Sequence, residues 1–305
     1  MLPETQTLGY IMHIMKIGFI GQGWIGKNYA DDFENRGFDV VRYSLEAQYV
    51  HNKELIQFCD VVFVAVPTPT NPDGFNADAV RNALSNIGEG KIAVIKSTLS
   101  PGTTESLQDE FPNIYVLHSP EFLVEKTAAY DAAHPNRNIV GIPKHSAEYI
   151  ERAKLVLSVL PEAPYETIMT SRDAEFVKYA GNCYLFTKVM YMNLLYDLVA
   201  SMNGDWNRIK EALIHDPRIG ESHTEPIHKS GRGAGGHCFI KDFEAFRLMY
   251  DAHTDDPTGS DLMKTLAYKN IQLLVESGKD MDLLEGVYGD LNKYRVWKNT
   301  HDTLL

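Results

Sequence analysis

The chain reads Ile14-Met-Lys-Ile-Gly-Phe-Ile20-Gly21-Gln-Gly23-Trp-Ile-Gly26 near its start, an apolar run followed by three spaced glycines. A helical pattern follows and stops at Gly37. This order of strand, glycine turn and helix is the setting that a dinucleotide-binding fingerprint requires. Gly21 would form the turn, Gly23 would let a pyrophosphate approach the backbone, and Gly26 would let the helix pack against the strand. A glycine turn without a ligand is the alternative interpretation.

The same alternation of apolar strands and helical segments continues to about Leu160. Strands are predicted at residues 38–43, 60–66, 91–96, 114–118 and 138–142, and helices at residues 77–87, 103–111, 126–133 and 146–160. Apolar, β-branched strands that alternate with helices are typical of a parallel sheet with helices on both faces. We therefore predict an α/β fold that begins with a Rossmann-like, doubly wound parallel sheet and binds NAD(P).

From about Thr170 the pattern becomes nearly all helical. Thr170-Ser-Arg-Asp173 is a helix-start signature, and the helical pattern runs to Met202. A helix of about 30 residues is about 45 Å long at 1.5 Å per residue, enough to form the backbone of a second domain. The predicted divisions are an N-terminal extension at residues 1–13, the NAD(P)-binding domain at 14–169, an all-helical central domain built on the long helix at 170–286, and a polar tail at 287–305.

Three loops at the carboxyl ends of predicted strands carry hydroxyl and carboxylate side chains. They read Val66-Pro-Thr-Pro-Thr70, Ser97-Thr98-Leu-Ser-Pro-Gly-Thr-Thr104 and Ser119-Pro-Glu121-Phe-Leu-Val-Glu125. Ligands of open parallel sheets bind at this edge, so we expect the loops to line a ligand site. Each loop taken alone could be ordinary turn chemistry, with proline and glycine for geometry and hydroxyls for caps.

Glu175, Lys178 and Asn182 lie at i, i+3 and i+7 of the predicted long helix. Side chains at this spacing share one helix face. The aromatic and aliphatic neighbours predict that this helix is mostly buried, and a buried lysine needs a partner or a function.

Gly231-Arg-Gly-Ala-Gly-Gly-His-Cys238-Phe-Ile-Lys241-Asp242 places one cysteine after a glycine-rich stretch and just before a cation and a carboxylate. We predict a tightly turned loop that presents a nucleophilic thiol, followed by a helix at residues 242–252. A small buried cysteine in an ordinary loop, with Asp242 capping the next helix, is the alternative.

Composition limits the partners and the compartment. Lys and Arg number 29 against 41 Asp and Glu, a formal net charge of −12, which argues against nucleic acid or an anionic membrane as the main partner. Cys59, Cys183 and Cys238 fit no disulfide or zinc spacing, so no metal site is predicted and a reducing cytoplasm is expected. Residues 1–13 lack a signal-peptide pattern, and no apolar run is long enough to span a bilayer.

These motifs together resemble the UDP-glucose/GDP-mannose dehydrogenase family, whose members use NAD to oxidise a nucleotide-sugar alcohol to the acid in two hydride transfers. The resemblance extends from about Met15 to Ser277 and includes Arg218-Ile-Gly220. It implies a homodimer that forms through the long helix and takes a small sugar or nucleotide-sugar substrate. Family members continue into a third, Rossmann-like domain that supplies much of the nucleotide site, and we expect this chain to lack it.

The resemblance also implies the catalytic roles. Cys238 would attack the intermediate aldehyde, so that a thiohemiacetal and then a thioester form before water releases the acid. Lys178 would hold the oxyanion with Asn182 donating beside it. Asp242 and Glu121 would transfer protons or activate water, which Thr98 would position.

The resemblance implies two sets of binding residues. Those for the cofactor are Gly21, Gly23, Trp24, Ile25, Gly26, Ser44, Val66, Pro67, Thr68, Ser97, Thr98 and Glu125. Those for the substrate are Glu121, Phe122, Leu123, Lys178, Asn182, Gly235, Lys241 and, reaching a sugar bound by the neighbouring subunit, Arg218; Glu125 would also line this site.

Several alternatives stay open. Ser44 stands where NAD-binding proteins usually carry an acid for the adenosine ribose, and with Arg42 nearby both NAD and NADP are possible. The histidine at position 237 resembles the sequence of the family branch that acts on N-acetylated UDP-sugars. In contrast, Phe239-Ile-Lys-Asp242 resembles the sequence of the glucose branch. A one-step β-hydroxyacid-type dehydrogenase is a second possible function, because such enzymes also carry a helix lysine followed four residues later by asparagine. A cofactor-binding subunit that needs a partner is a third.

Overall fold

The computed structural model describes residues 15–291, which form two compact units. The first unit contains the described residues up to Thr68 together with Asn76–Lys178. The second contains Pro69–Phe75 and the described residues from Tyr179 onward. The extension predicted at residues 1–13, and the predicted tail beyond residue 291, lie outside the described residues. The predicted domain limits stay predictions.

The strands in chain order are β1 (Lys16–Ile20), β2 (Asp39–Tyr43), β3 (Val61–Val64), β4 (Thr70–Asn71), β5 (Gly74–Phe75), β6 (Ile92–Ile95), β7 (Tyr115–His118), β8 (Asn138–Ile142), β9 (Glu166–Thr170), β10 (Ile227–His228) and β11 (Gly231–Arg232). Seven of them form the sheet of the first unit, in the order β2-β1-β3-β6-β7-β8-β9. All neighbours in this sheet are parallel except β7 and β8. The predicted Rossmann-like α/β fold is therefore confirmed, with one antiparallel pair that the sequence did not predict.

Burial explains which strands the sequence pattern revealed. Every residue of β3 and β6 is buried, so both strands read as continuous apolar runs. No residue of β9 is buried. Its sequence mixes polar and apolar residues and therefore does not predict a buried strand.

The helices are α1 (Trp24–Asn35), α2 (Asp78–Leu84), α3 (Thr103–Glu110), α4 (Ala128–Ala133), α5 (Ala147–Val159), α6 (Ser171–Ser201), α7 (Trp206–Ile214), α8 (Gly236–His253), α9 (Pro257–Ser277) and α10 (Met281–Tyr288), with 3₁₀ segments at Val50–Phe58 and Glu125–Thr127. Aromatic packing fixes α1 on the sheet, since the Phe33 ring lies 5.4 Å from that of Phe19 and 5.1 Å from that of Phe63. This packing holds the glycine turn between β1 and α1 in place.

The second unit is mostly helical and is built on the long helix α6, as predicted. The first turns of α6, up to Lys178, belong to the first unit, and the helix continues into the second. The Phe186 ring of α6 stacks on the Phe243 ring of α8 with centroids 3.8 Å apart. The hairpin of β4 and β5, which follows a strand of the first unit, packs on α8 and α10. No helix within residues 15–291 is long and apolar enough to cross a membrane.

One predicted helix start in the second unit is wrong. Helix α8 starts at Gly236 and not at Asp242, because the glycines that resemble a loop include the first residue of the helix. Helix α10 runs to Tyr288 and so enters the stretch predicted as a polar tail from residue 287. Its inward side chains Leu284 and Val287 pack in a small apolar cluster with α8 and α9.

Candidate active site

The glycine turn after β1 has the shape of a pyrophosphate cradle. Gly21 has a φ of 92°, and a Cβ there would lie 2.2 Å from the carbonyl oxygen of Ala65. A Cβ at Gly26 would lie 1.9 Å from the carbonyl oxygen of Gly21. At Gly23, in contrast, a Cβ would meet nothing within 4 Å. The turn is therefore closed where the backbone packs and open where a ligand would approach, so these residues fit a dinucleotide.

The start of α1 is suited to an anion. Its N-cap, Gly23, provides no side-chain cap, so the first N–H groups of the helix keep their hydrogen-bonding capacity. Trp24 is exposed and Ile25 half-buried beside this opening.

Two of the predicted rim loops are tied together. Ser97 Oγ donates to the Val66 oxygen at 2.7 Å and accepts from the Val66 N–H at 3.0 Å. Thr68 Oγ1 donates to the Thr98 oxygen at 2.7 Å. The structure thus brings these four predicted cofactor residues together, with Pro67 exposed between Val66 and Thr68.

The residue expected to contact the adenosine ribose is a serine. The nearby arginine is already paired with carboxylates. Ser44 is half-buried just after β2, and its Oγ accepts from the Glu46 N–H at 3.2 Å. Arg42 is buried, and its guanidinium forms ion pairs of 2.7 Å with Asp31 and with Glu34 on α1. Arg42 is therefore committed to two carboxylates.

Lys178 and Glu121 form a buried ion pair in the first unit. The Lys178 Nζ donates to Glu121 Oε1 at 2.6 Å and to the Glu121 main-chain oxygen at 2.7 Å. The side chains are 6% and 4% exposed, so water screens this pair little. Glu121 Oε2 also accepts from the Leu123 N–H at 2.8 Å, which orients the carboxylate. Phe122, the residue between them, has its ring 3.8 Å from the Arg137 guanidinium.

A second buried lysine was missed by the sequence analysis. Lys96 follows β6, its Nζ donates to Ser119 Oγ at 3.2 Å, and it lies 4.4 Å from the centre of the Tyr29 ring. Burial lowers the pKa of Lys96 to about 7; the negative charge of Glu121 opposes this shift, and the positive charge of Lys178 adds to it. A cation at the end of an apolar strand resembles an ordinary strand boundary, so Lys96 does not stand out in the sequence.

Glu175 shares a face of α6 with Lys178 but has a structural partner. Its carboxylate accepts from the Gly102 N–H at 2.6 Å, the Thr104 N–H at 2.8 Å and Thr104 Oγ1 at 2.6 Å. It therefore caps α3, which begins at Thr103. Burial raises the pKa of Glu175 to about 7, against the opposing effect of these hydrogen bonds.

In the second unit, Asp242 is the centre of a polar group. Its side chain is 1% exposed, Oδ2 accepts from Asn182 Nδ2 at 2.6 Å, and Oδ1 accepts from Lys241 Nζ. The alternative in which Asp242 caps a helix is wrong, because α8 has already begun. Asp242 is instead a buried carboxylate held by an amide and an ammonium group.

Cys238 lies in the first turn of α8 and is exposed, whereas Cys59 and Cys183 are buried. Burial raises the pKa of Cys59 to about 11 and also raises that of Cys183. A helix N-terminus favours the thiolate over the thiol. Cys238 is thus on the start of a helix and not on a loop, which corrects the predicted presentation and suits a nucleophile.

The remaining predicted residues are not gathered at these groups. Glu125 is exposed at the start of a short 3₁₀ segment. The Arg218 side chain is 88% exposed and pairs with Asp216 at 2.6 Å. Gly235 lies next to the start of α8, where a Cβ would come within 2.1 Å of Asp280 Oδ2. Within residues 15–291, no group of three or more His, Cys, Asp or Glu side chains is placed to hold a metal ion.

The chain is similar to known proteins over most of its length. Residues 43–157 match the NAD-binding domain of the UDP-glucose/GDP-mannose dehydrogenase family, and residues 172–270 match its central domain. The UDP-glucose 6-dehydrogenase of Rickettsia conorii is 30% identical over 217 residues, which are 68% of this chain and 48% of that one. That of Streptococcus pneumoniae is 28% identical over 278 residues, 77% of this chain and 69% of that one.

The chain is also similar to a solved structure. A UDP-glucose dehydrogenase from Pyrobaculum islandicum superposes with a TM-score of 0.72 at 26% identity, covering 90% of this chain and 72% of that one. The chain spans about half the length of curated relatives such as the Rickettsia conorii enzyme.

Proposed function

Because the chain belongs to the UDP-glucose/GDP-mannose dehydrogenase family, we propose that it oxidises the primary alcohol of a sugar or nucleotide sugar to the acid, as a UDP-glucose 6-dehydrogenase-like enzyme. One observation supports this four-electron reaction over a single oxidation. Cys238 is an exposed thiol in the first turn of a helix, while the other two cysteines are buried. A reaction that stops at the aldehyde or ketone needs no such thiol, whereas oxidation onward to the acid requires the aldehyde to be held.

NAD, when bound, would supply the hydride acceptor for both oxidations. Gly21, Gly23 and Gly26 would hold its pyrophosphate at the start of α1. Ser44 would offer a hydroxyl to the adenosine ribose. Because Arg42 is engaged by Asp31 and Glu34, it is not placed to pair with the extra phosphate of NADP, and we propose NAD as the cofactor.

In the first oxidation the alcohol loses a hydride from carbon and a proton from oxygen. Asp242 would accept the proton, since its carboxylate is buried and oriented by Asn182 and Lys241. Lys178 would stabilise the negative charge on oxygen, because a buried ammonium acts strongly where water is excluded.

Cys238 would then carry the substrate through the second oxidation. Its thiolate would add to the aldehyde carbon and form a thiohemiacetal, whose oxyanion Lys178 would again stabilise. Loss of the second hydride gives a thioester. Water, positioned by Thr98 and activated by Glu121, attacks the thioester carbon and releases the acid and the Cys238 thiol. Two molecules of NAD would be reduced for each acid formed. The Cys238 thiol would stay reduced in a compartment such as the cytoplasm.

Substrate binding would use Phe122, Leu123, Gly235 and Lys241, together with Glu125. Arg218 is exposed, as expected if it reaches a substrate bound by another subunit.

An exposed apolar stripe on α6 supports a homodimer. It consists of four side chains at intervals of seven, three and four residues, namely Tyr184, Tyr191, Leu194 and Leu198. They are 64%, 60%, 47% and 56% exposed. Light scattering should give twice the 34.4 kDa mass of the chain, and Leu198→Glu should halve it. A single-chain mass for the wild-type protein at micromolar concentration would contradict the dimer.

The decisive experiment measures products with UDP-glucose as the probe. Wild-type protein should reduce two NAD for each UDP-glucuronic acid formed. Cys238→Ser should lower acid formation by at least about 10³-fold, because the weaker nucleophile does not hold the aldehyde. Cys59→Ala is the matched control, since this buried thiol has no role in the reaction. Acid release by Cys238→Ser at the wild-type rate would exclude the covalent mechanism.

The same experiment separates the two other functions. One reduced cofactor per substrate, with full activity of Cys238→Ser, would favour a one-step β-hydroxyacid-type dehydrogenase. That alternative is supported by the spacing of Lys178 and Asn182 along α6. NAD binding without turnover until a partner chain is added would favour a cofactor-binding subunit.

A further inference from the structure

Four side chains of the second unit hold the backbone before α8. Asn270 donates to the Ala234 oxygen at 3.0 Å and accepts from the Ala234 N–H at 2.7 Å. Ser277 Oγ accepts from the Arg232 N–H at 2.9 Å, and Lys279 Nζ donates to the Gly233 oxygen at 3.1 Å. The fifth hydrogen bond runs from the Gly236 N–H to Asp280 Oδ2 at 2.7 Å. Side chains therefore hold this glycine-rich segment at four of its backbone residues.

The same side chains explain why glycines are required there. A Cβ at Gly231 would lie 2.3 Å from the Ser277 Cβ, and one at Gly233 would lie 3.0 Å from Asn270 Oδ1. At Gly235 the distance to Asp280 Oδ2 would be 2.1 Å. The glycines thus make room for the side chains that hold the segment.

Asp280 differs from the other three because of its position and its own backbone. It precedes α10 but gives that helix no side-chain cap, and it adopts a φ of 53°, a conformation that side chains rarely adopt. Its carboxylate is used on α8 instead, at the N–H of the first helical residue. Cys238 is the third residue of the same helix, so the carboxylate and the thiol share one helix start.

We propose that Asp280 is a positioning residue for Cys238: its carboxylate anchors the start of α8, and its negative charge opposes the positive end of that helix at the thiol. This proposal rests on the proposed function, in which Cys238 is the nucleophile. A carboxylate at a helix N-terminus interacts favourably with the dipole, and the same charge disfavours a thiolate nearby. Asp280 would therefore fix the thiol in place while limiting how much of it is ionised.

Other charged groups lie near this helix start. Lys279 is buried next to Asp280, and burial lowers its pKa. The charged and titratable side chains of the segment and its neighbours include Arg232, which pairs with Asp197, and also His237, Lys241 and Asp242 on α8, Lys279 and Lys229.

Two substitutions separate anchoring from charge. Asp280→Asn keeps an oxygen acceptor and tolerates the positive φ, but removes the charge. Asp280→Gly accepts the same φ and removes the acceptor as well. Asp282→Asn is the matched control, because it removes one exposed carboxylate two residues further along α10.

The measurement is the rate at which iodoacetamide alkylates Cys238 across pH, followed by mass spectrometry of its peptide. Asp280→Asn should lower the thiol pKa by about 0.5 unit, and Asp282→Asn should leave it unchanged. In Asp280→Gly, hydrogen exchange of the Gly236 amide should become at least about tenfold faster. An unchanged thiol pKa in Asp280→Asn, an equal fall in Asp282→Asn, or unchanged exchange in Asp280→Gly would overturn the proposal. Alkylation and exchange need no turnover, so failure of the proposed function would be seen separately, as absence of acid formation.

Discussion

Helices α1 and α8 both follow closely spaced glycines, yet their first turns are used in opposite ways. At α1 no side chain caps the helix, and the space above Gly23 is open. At α8 the Gly236 N–H donates to the Asp280 carboxylate. Neighbouring side chains take up the space beside the preceding glycines. Such glycines leave room for a ligand only where the helix start has no protein partner. Where side chains of the protein bond to the helix start, the same glycine pattern instead holds the first turn of the helix in place.

Helix α3 adds an intermediate case. Its N-cap, Gly102, has a φ of 93°, and the helix start is closed by Glu175 from α6. The rim loop of Ser97 and Thr98 leads into this helix, so its capping keeps a predicted cofactor loop in place.

The largest effect should come from filling the closed part of the α1 turn. Gly26→Ala should reduce the free energy of unfolding by about 3 kcal/mol or more, because the new Cβ would overlap the Gly21 oxygen. Gly23→Ala should leave stability within about 0.5 kcal/mol but weaken NAD binding about tenfold. Urea unfolding and calorimetric titration with NAD measure the two effects. If Gly23→Ala binds NAD as tightly as the wild type, the open turn is not the cradle.

The next effect concerns the pH dependence of the capped start of α3. A carboxyl whose pKa is raised by folding stabilises the protein fully below its unfolded pKa, and this contribution is lost as pH rises through the folded value. With Glu175 raised from 4.5 to about 7, stability should fall by roughly 3 kcal/mol between pH 4.5 and pH 8 because of this group.

Glu175→Gln tests that expectation, since its side chain does not titrate. Urea unfolding at a series of pH values should show a smaller loss of stability for the variant than for the wild type over that range. Glu89→Gln, at an exposed position, controls for the loss of one charge. Parallel curves for the wild type and Glu175→Gln would show that Glu175 ionises without cost.

The smallest effect should be on cofactor affinity, through the residue expected to contact the adenosine ribose. Ser44→Asp should tighten NAD binding about fivefold through an added hydrogen bond to the ribose, and should weaken NADP binding by charge repulsion. Ser44→Ala is the control for loss of the hydroxyl. Tighter binding of NADP than of NAD by the wild-type protein would contradict the role given to Arg42 and its two carboxylate partners.

The sequence pattern predicted the sheet and the long helix because their signals are local. Buried strands such as β3 are continuous apolar runs, and the glycine fingerprint sits between β1 and α1. The start of α8 was misplaced because its anchor, Asp280, lies 44 residues beyond Gly236. No local pattern reports a partner at that distance.

The candidate site was predictable only in part for a similar reason. The spacing of Lys178 and Asn182 on one helix is visible in sequence, and so is the cysteine after the glycines. The pairing of Lys178 with Glu121 joins residues 57 positions apart, and the packing of Lys96 against Tyr29 depends on the folded sheet. The resemblance to a family supplied what spacing alone could not.

The β4–β5 hairpin belongs to the second unit, although it lies within the sequence of the first. The chain leaves the first unit after Thr68, returns at Asn76 and leaves it again after Lys178. Residues 69–75 therefore emerge from the ribosome long before α8 and α10, on which they pack. During synthesis this hairpin must wait for its partners, so neither unit corresponds to one uninterrupted piece of the gene. A fragment cut after Lys178 would carry a segment of the second unit that has nothing to fold against.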